Sequence, residues 1–349
     1  MIRVVVAEDS PTARALLVAM LASDPGIQVI GEAKTGAQAV EMTERLGPDL
    51  VTMDVEMPEL DGLEATEQIM MRCPTPIVVI SAQANERAVD LSLEATRAGA
   101  LAVLPKPVGP VSEDFAQQRE QLIATVKAMS AVKVVRRWRS RSLRRPTPPS
   151  VAALSGRSTT RLVAIGASTG GPAAVRDIVA SLPANFPVPI VVVQHIAKGF
   201  VSGLAHWVNA ETKLHVKVAE DGELVRAGTV YFAPDDQHTG IEVRAGDAAP
   251  RILLASAPKV GTFRPSATWL FSTAARALGP AVTGVILTGM GDDGVAGLRA
   301  VHAAGGTVLA QDEATSVIYG MPREAVRAGV VHAVVPLGEL SQRLLDLVS

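Results

Sequence analysis

Apolar and polar positions follow two rhythms along this chain. Short β-branched runs at Arg3–Ala7, Gln28–Ala33, Asp49–Met53, Ile77–Ile80 and Ala100–Leu104 have the length and composition of buried strands. Between them, Thr12–Ala22 and Ala37–Leu46 place apolar residues at three- and four-residue spacing, which predicts helices. Such alternation predicts a parallel sheet with helices on both faces. The theme returns at Leu162–Ile165, Val188–Val193, Val282–Leu287, Thr307–Ala310 and Val331–Val335, so a second α/β sheet is expected. From Leu214 to Ala255 the pattern alternates more like hairpins, with strands at Val230-Tyr231-Phe232 and Ile252-Leu253-Leu254. An antiparallel extension is expected there. No internal repeat is evident.

A length of 349 residues fits two domains better than one. Apolar residues make up 48% but aromatics only 3%, so the cores are aliphatic and a base-stacking surface is disfavoured. A net charge of −2 also argues against a polyanion-binding protein, and no nucleic-acid partner is expected. Cys73 is the sole cysteine, which excludes an intramolecular disulfide framework and a multi-cysteine zinc site. Glu8 and Asp9 come too early for a signal peptide, and no apolar run approaches the ~20 residues that span a bilayer. A cytoplasmic protein without a transmembrane segment is expected.

Charge marks the domain boundary. No acidic residue lies between Glu120 and Asp177, and that stretch holds R-R-W-R-S-R-S-L-R-R-P-T-P-P from Arg136 to Pro149. Pro, Ser and Arg without apolar periodicity predict a linker over 126–158, between domains at 1–125 and 159–349. A basic run can serve nucleic acid or an anionic membrane, with Trp138 as an anchor, but a solvated tether is the simpler reading.

Polar groups fall just after four of the N-terminal strands: Glu8 and Asp9, Asp54, Ser81 and Lys106. In an open parallel sheet ligands bind beyond the carboxyl ends of the strands, so these groups should converge. Carboxylates packed together repel one another unless a hard cation lies among them, and Mg²⁺ favours such oxygen sites. A carboxylate beside that cation can accept a phosphoryl group, with a lysine neutralising its oxygens. The segments A-E-D-S (Ala7–Ser10), M-D-V-E-M-P-E-L-D-G (Met53–Gly62), I-S-A (Ile80–Ala82) and L-P-K-P (Leu104–Pro107) resemble the receiver domains of two-component response regulators. The resemblance implies a flavodoxin-like domain with a five-stranded parallel sheet and Asp54 as the phosphorylated residue. It also implies Mg²⁺ held by Asp9 and Asp54 with help from Glu8, phosphoryl contacts from Ser81 and Lys106, and a cis peptide before Pro107. Many receivers carry Tyr or Phe three residues before the lysine; Val103 stands there in this chain.

In the second half, R-L-V-A-I-G-A-S-T-G-G-P (Arg161–Pro172) reads as a strand, a glycine-rich turn and a helix. Gly166-Ala167-Ser168-Thr169-Gly170 fits the nucleophile-elbow pattern G-x-S-x-G, although a turn of this kind can also cradle a phosphate. A serine nucleophile needs a histidine base and an orienting acid. His195 follows a strand and His238 sits in a loop, whereas His302 and His332 fall where structural histidines are expected. Asp292, Asp293 and Asp312 compete for the acid. The orders Ser168, Asp293, His332 and Ser168, His195, Asp293 both stand, and placement beyond strand ends favours the second.

I-G-A-S-T-G-G-P, V-V-Q-H-I, Y-F-A-P-x-x-Q-H, R-P-S (Arg264–Ser266), L-T-G-M-G-D-D-G and Y-G-M-P-R-E-A (Tyr319–Ala325) together resemble the chemotaxis protein-glutamate methylesterases of the CheB type. That resemblance implies a doubly wound serine-hydrolase domain with Ser168 as nucleophile, His195 as general acid/base and Asp293 as its orienting acid. Oxyanion donors are expected at the backbone of Thr169 and Met290, with no metal in the hydrolase. It further implies methyl-accepting chemotaxis receptors as substrate, a CheA-type histidine kinase as phosphodonor, and a second activity as a glutamine deamidase. The chain departs from the family at Phe263, commonly His, and at Asp235–Asp236, where Gly is common. The rival readings are an esterase of the same mechanism in another pathway and a response regulator with a non-catalytic output domain.

Overall fold

A computed structural model describes residues 1–81, 91, 94–96, 98–109, 111–112, 115–132, 134, 160–244 and 249–348. The N-terminal sheet comprises β1 (Ile2–Ala7), β2 (Ile27–Ala33), β3 (Leu50–Met53), β4 (Ile77–Ser81) and β5 (Ala102–Pro105). Its order is β2-β1-β3-β4-β5 and every pair is parallel. Helices α1 (Pro11–Ala22) and α4 (Phe115–Ser130) cover one face, closing a core of Val4, Val6, Leu17, Leu21, Leu122 and Val126. Helices α2 (Gly36–Leu46) and α3 (Gly62–Arg72) cover the other, over Val5, Val51, Met53, Val40 and Ile69.

Local chemistry sets where these helices begin. Ser10, Thr35 and Asp61 each accept a backbone N–H from three residues on, at Ala13, Gln38 and Glu64. α2 ends at Gly47, whose φ of 53° is the left-handed conformation that glycine adopts without penalty. α4 continues through Ser130, so residues 126–130, expected to open the linker, are helical; Leu122, Val126 and Met129 bury one stripe there. Residues 133 and 135–158 of the expected linker lie outside the described residues.

The C-terminal sheet is wider: β14-β13-β12-β6-β7-β9-β8, parallel throughout. Its strands are β6 (Leu162–Ala167), β7 (Ile190–Gln194), β8 (His215–Val218), β9 (Thr229–Phe232), β12 (Val282–Ile286), β13 (Thr307–Gln311) and β14 (Ala333–Val335). Helices α5 (Gly171–Ala180), α6 (Val201–Glu211) and α10 (Leu337–Val348) pack on one face. Helices α7 (Ala267–Leu278), α8 (Val295–Ala303) and α9 (Met321–Arg327) pack on the other. The doubly wound form is borne out, and so is a small antiparallel pair, β10 (His238–Glu242) with β11 (Arg251–Ala255). Only Ile252-Leu253-Leu254 belongs to that pair. Val230-Tyr231-Phe232 joins the parallel sheet beside β7, because all of its side chains are buried between helical layers rather than on alternate faces.

The expected cis peptide before Pro107 is absent, and the cis bond among the described residues is Arg264–Pro265. Trans is the lower-energy state of an X–Pro bond unless its surroundings select otherwise. Among the described residues no helix is long and apolar enough to cross a membrane.

Candidate functional sites

Each sheet changes winding direction at one crevice, between β1 and β3 in the first domain and between β6 and β12 in the second. Ligands bind at such points beyond the strands' carboxyl ends, and the singled-out residues fall there.

In the first crevice Glu8 and Asp54 are essentially buried. Lys106 reaches across from β5, its Nζ 2.9 Å from Glu8 Oε1 and 2.7 Å from Asp54 Oδ2. Burial, then the neighbouring Asp54 carboxylate, pushes the Glu8 pKa up. Burial likewise raises Asp54 in spite of its hydrogen bond from Lys106. Burial alone would lower Lys106, yet its bonds to Asp54 and Glu8 hold it above its ordinary value. Glu8 Oε2 is buried without a hydrogen-bond partner. One oxygen each from Glu8, Asp9 and Asp54 lie within 4.8 Å of one another. Three converging carboxylates, one with an orphaned oxygen, form a donor set that fits a hard divalent cation. Ser81 ends β4, fully buried, and its backbone oxygen accepts the Lys106 N–H at 2.8 Å.

In the second crevice Ser168 follows β6, His195 follows β7 and Asp293 follows β12. His195 N–H donates to Ala167 O at 2.9 Å, and the Gln194 side-chain amide donates to both Ser168 O (2.7 Å) and His195 O (2.9 Å). A β-carbon on Gly289 would abut Ser168 Cβ, so the turn carrying Gly289 and Met290 lies directly over the serine. Gly170 takes φ 77° behind Ser168, and Ser168 N–H is committed to Thr288 O at 3.0 Å.

Asp293 is the most heavily engaged carboxylate of the crevice. Its Oδ2 lies 2.9 Å from His195 Nε2 and accepts the Ala267 N–H at 2.7 Å. Its Oδ1 accepts Ser266 Oγ–H at 2.7 Å and Thr268 N–H at 3.1 Å. The start of α7 thus points its unpaired N–H groups and the positive end of its dipole at this acid. Burial would raise the Asp293 pKa, but the bonds from His195, Ser266 and Ala267 outweigh it and hold it at about 2. With the folded value depressed, this stabilisation is complete above the unfolded carboxyl's range near 4 and is lost as pH falls towards 2. Urea unfolding followed by Trp207 and Trp269 fluorescence should therefore lose about 2 kcal/mol more between pH 5 and 2 in the parent than in Asp293→Asn. Equal pH slopes would contradict this.

The competing residues are engaged elsewhere. His238 is fully buried, stacks on Trp269 and pairs with Pro258 O at 3.0 Å. His332 precedes β14, at the opposite end of the sheet, where its Nδ1 accepts the Val308 N–H and its ring stacks on His302. Burial and then His302 lower the His332 pKa, as suits a neutral structural imidazole. Asp292 is exposed, and Asp312 accepts the Thr315 N–H at 3.1 Å. Sequence reasoning missed Ser266, Ala267 and Thr268 as partners of Asp293, and Gln194 as a brace between the serine and histidine turns. A serine before an apolar helix signals an N-cap, but nothing local signals which acid that cap will also bind.

The two domains meet near this crevice. Val103 of β5 packs against the apolar cluster that includes Phe200 and Val201, with Ile196 and Ala197 at its edge. Val317 and Ile318 pack against the receiver-side cluster of Leu122, Val126 and Met129. Ala128 and Val132 at the end of α4 share a cleft of about 840 Å³ with Met290, Asp292, Tyr319 and Arg323.

A flavodoxin-like receiver followed by a doubly wound hydrolase domain is the class that these two sheets define. Residues 163–344 match the CheB methylesterase family model, and residues 4–112 match the response regulator receiver domain. The chain belongs to the CheB methylesterase family. It is 53% identical over 345 residues to protein-glutamate methylesterase/protein-glutamine glutaminase 4 of Myxococcus xanthus (strain DK1622), covering 98% of this chain and 96% of that protein. Protein-glutamate methylesterase/protein-glutamine glutaminase 3 of Anaeromyxobacter dehalogenans (strain 2CP-C) is 48% identical over 345 residues, covering 99% and 98%. The crystal structure of the Thermotoga maritima CheB methylesterase catalytic domain superposes with a TM-score of 0.52 at 40% identity, covering 54% of this chain and 98% of that one.

Proposed function

We propose that this chain is a phosphorylation-controlled protein-glutamate methylesterase that hydrolyses γ-glutamyl methyl esters on methyl-accepting chemotaxis receptors and deamidates receptor glutamines. The observation that carries this reading is the convergence of Ser168, His195 and Asp293 at one switch point, with Asp293 held ionised by four donors. Asp293 engages His195 Nε2, and Nδ1 is buried without another partner. That leaves Nδ1 free to take the serine proton in this mechanism. Ser168 Oγ attacks the ester carbonyl, and the tetrahedral oxyanion is met by the backbone N–H groups of Thr169 and Met290. Collapse breaks the C–O bond, and His195 returns its proton to the leaving methoxide, releasing methanol. Water, deprotonated by His195, then attacks the acyl-enzyme; Ser168 regains the proton and glutamate is freed. With glutamine the leaving group is ammonia.

Control belongs to the first crevice. Glu8, Asp9 and Asp54 would hold Mg²⁺, which neutralises phosphoryl oxygens when bound. The Asp54 carboxylate accepts the phosphoryl group from a CheA-type kinase, Lys106 pairs with it, and Ser81 contacts its oxygens. The receiver, seated against the Met290 turn and beside the His195 loop, limits access until Asp54 is phosphorylated; the shared cleft supports this reading. The test is methanol release from methylated receptor cytoplasmic fragments, with Mg²⁺ and acetyl phosphate supplied. Release that rises with the phosphodonor is the expected result. No release from any receptor fragment tried would overturn the substrate assignment.

A further inference from the structure

We propose that Phe263 is a positioning residue for His195, fixing the plane of the imidazole and so the placement of Nδ1. The two rings are stacked, centroids 4.0 Å apart and planes 7° from parallel. The proposal rests on His195 being the base, and it follows from how a histidine side chain turns. Both ring nitrogens lie off the line of the Cβ–Cγ bond, Nδ1 further than Nε2. Rotation about χ2 therefore moves Nδ1 through the larger arc of the two. The bond from Nε2 to Asp293 anchors the ring at one atom, and a single hydrogen bond tolerates some rotation of the ring about it. The χ2 torsion of histidine is broad, so the torsion itself supplies little restraint. Nδ1 has no other hydrogen-bond partner to hold it. A flat ring lying parallel on one face opposes that swing directly.

Phe263 is held firmly enough to do this. Its N–H donates to Val260 O and its O accepts from Val260 N–H, both at 3.1 Å, closing a tight two-residue turn. Gly261 in that turn takes φ 60°, the conformation such hairpin turns require. Just beyond, Arg264 donates to Ala257 O at 3.1 Å, and Ser266 and Ala267 bond Asp293. One short segment, 260–268, thus supports both the acid that pins the imidazole and the ring that sets its plane.

A displacement of about 1 Å in a reacting group costs on the order of 10²-fold in rate. In the full-length phosphodonor-activated protein, Phe263→Leu should lower kcat for methanol release by about 10- to 100-fold. KM should stay within about twofold, because the substrate's binding surface is unchanged while proton transfer suffers. Phe263→Tyr and Phe263→His restore a flat ring and should recover kcat to within about threefold of the parent. Parental kcat in Phe263→Leu would overturn the proposal, as would a rise in KM alone or a tyrosine variant as slow as the leucine one. A second measurement does not depend on turnover: the His195 ring-proton resonances, assigned with His195→Gln. In the parent these should lie upfield under the Phe263 ring current and stay sharp; in Phe263→Leu they should move downfield and broaden. Unchanged resonances would refute the positioning role even in an active enzyme. An inactive parent, or a Ser168→Ala variant as active as the parent, would instead refute the esterase reading.

Discussion

Ser168→Ala should lower kcat for methanol release by about 10⁴-fold or more, with the protein still folded. The size follows from the role proposed for the hydroxyl. Without Oγ no acyl-enzyme forms, and only the oxyanion donors and substrate positioning remain to assist direct attack by water. The fold should tolerate the change, because the hydrogen bonds of Ser168 to its neighbours run through its backbone. Its N–H bonds Thr288 O, and its O accepts from Gly171 N–H and the Gln194 amide. Alanine keeps all of them. His195→Gln should cost about as much, and the double variant little more than either alone, since the residues act as one unit. Additive losses would mean that serine and histidine serve separate steps. Full activity in Ser168→Ala would remove the serine mechanism and favour a non-catalytic output domain.

The elements that carry these groups were readable in the chain because their signals are local. Val4–Ala7 and Leu162–Ile165 are short, continuous apolar runs rich in β-branched residues, as suits parallel strands buried on both faces by helices. Ser168, His195 and Asp293 could be gathered because each follows a strand, and the carboxyl ends of parallel strands share one edge. The misplacement of Val230–Phe232 has the same root. An apolar triplet states that a strand is buried, not which neighbour it pairs with, and pairing with β7 is decided across the sheet. The Asp293 shell was hidden for a related reason. Ser266 lies 27 positions away in sequence, and its hydroxyl both accepts the Trp269 N–H of its own helix and donates to Asp293. A cap pattern reveals the first bond and is silent about the second. Phe263 likewise looked only like a departure from a family pattern, since stacking on His195 depends on a turn folding back over a loop far away along the chain.

Asp54→Asn should abolish stimulation by acetyl phosphate, bringing the ratio of activities with and without the donor to about one, and should remove acid-labile, base-labile phosphate from the protein. The neutral amide is nearly the same size, so Lys106 and the strand ends keep their places while the nucleophilic oxygen is gone. Asp54 Oδ2 now holds Lys106 Nζ at 2.7 Å, with Glu8 sharing the ammonium. Adding a phosphoryl group brings roughly one to two further negative charges to this point, and the lysine must follow them. Lys106 lies on the turn that leaves β5, three positions after Val103, which packs against the cluster beside the His195 loop. A shift of that strand end would therefore be felt at the domain contact without a rotating aromatic at position 103. If the charge acts through this strand, Lys106→Met should still accept phosphate slowly, yet respond to it far less than the parent. Stimulation that survives Asp54→Asn undiminished would show that the donor acts elsewhere, and the receiver would lose its place in the control of this enzyme.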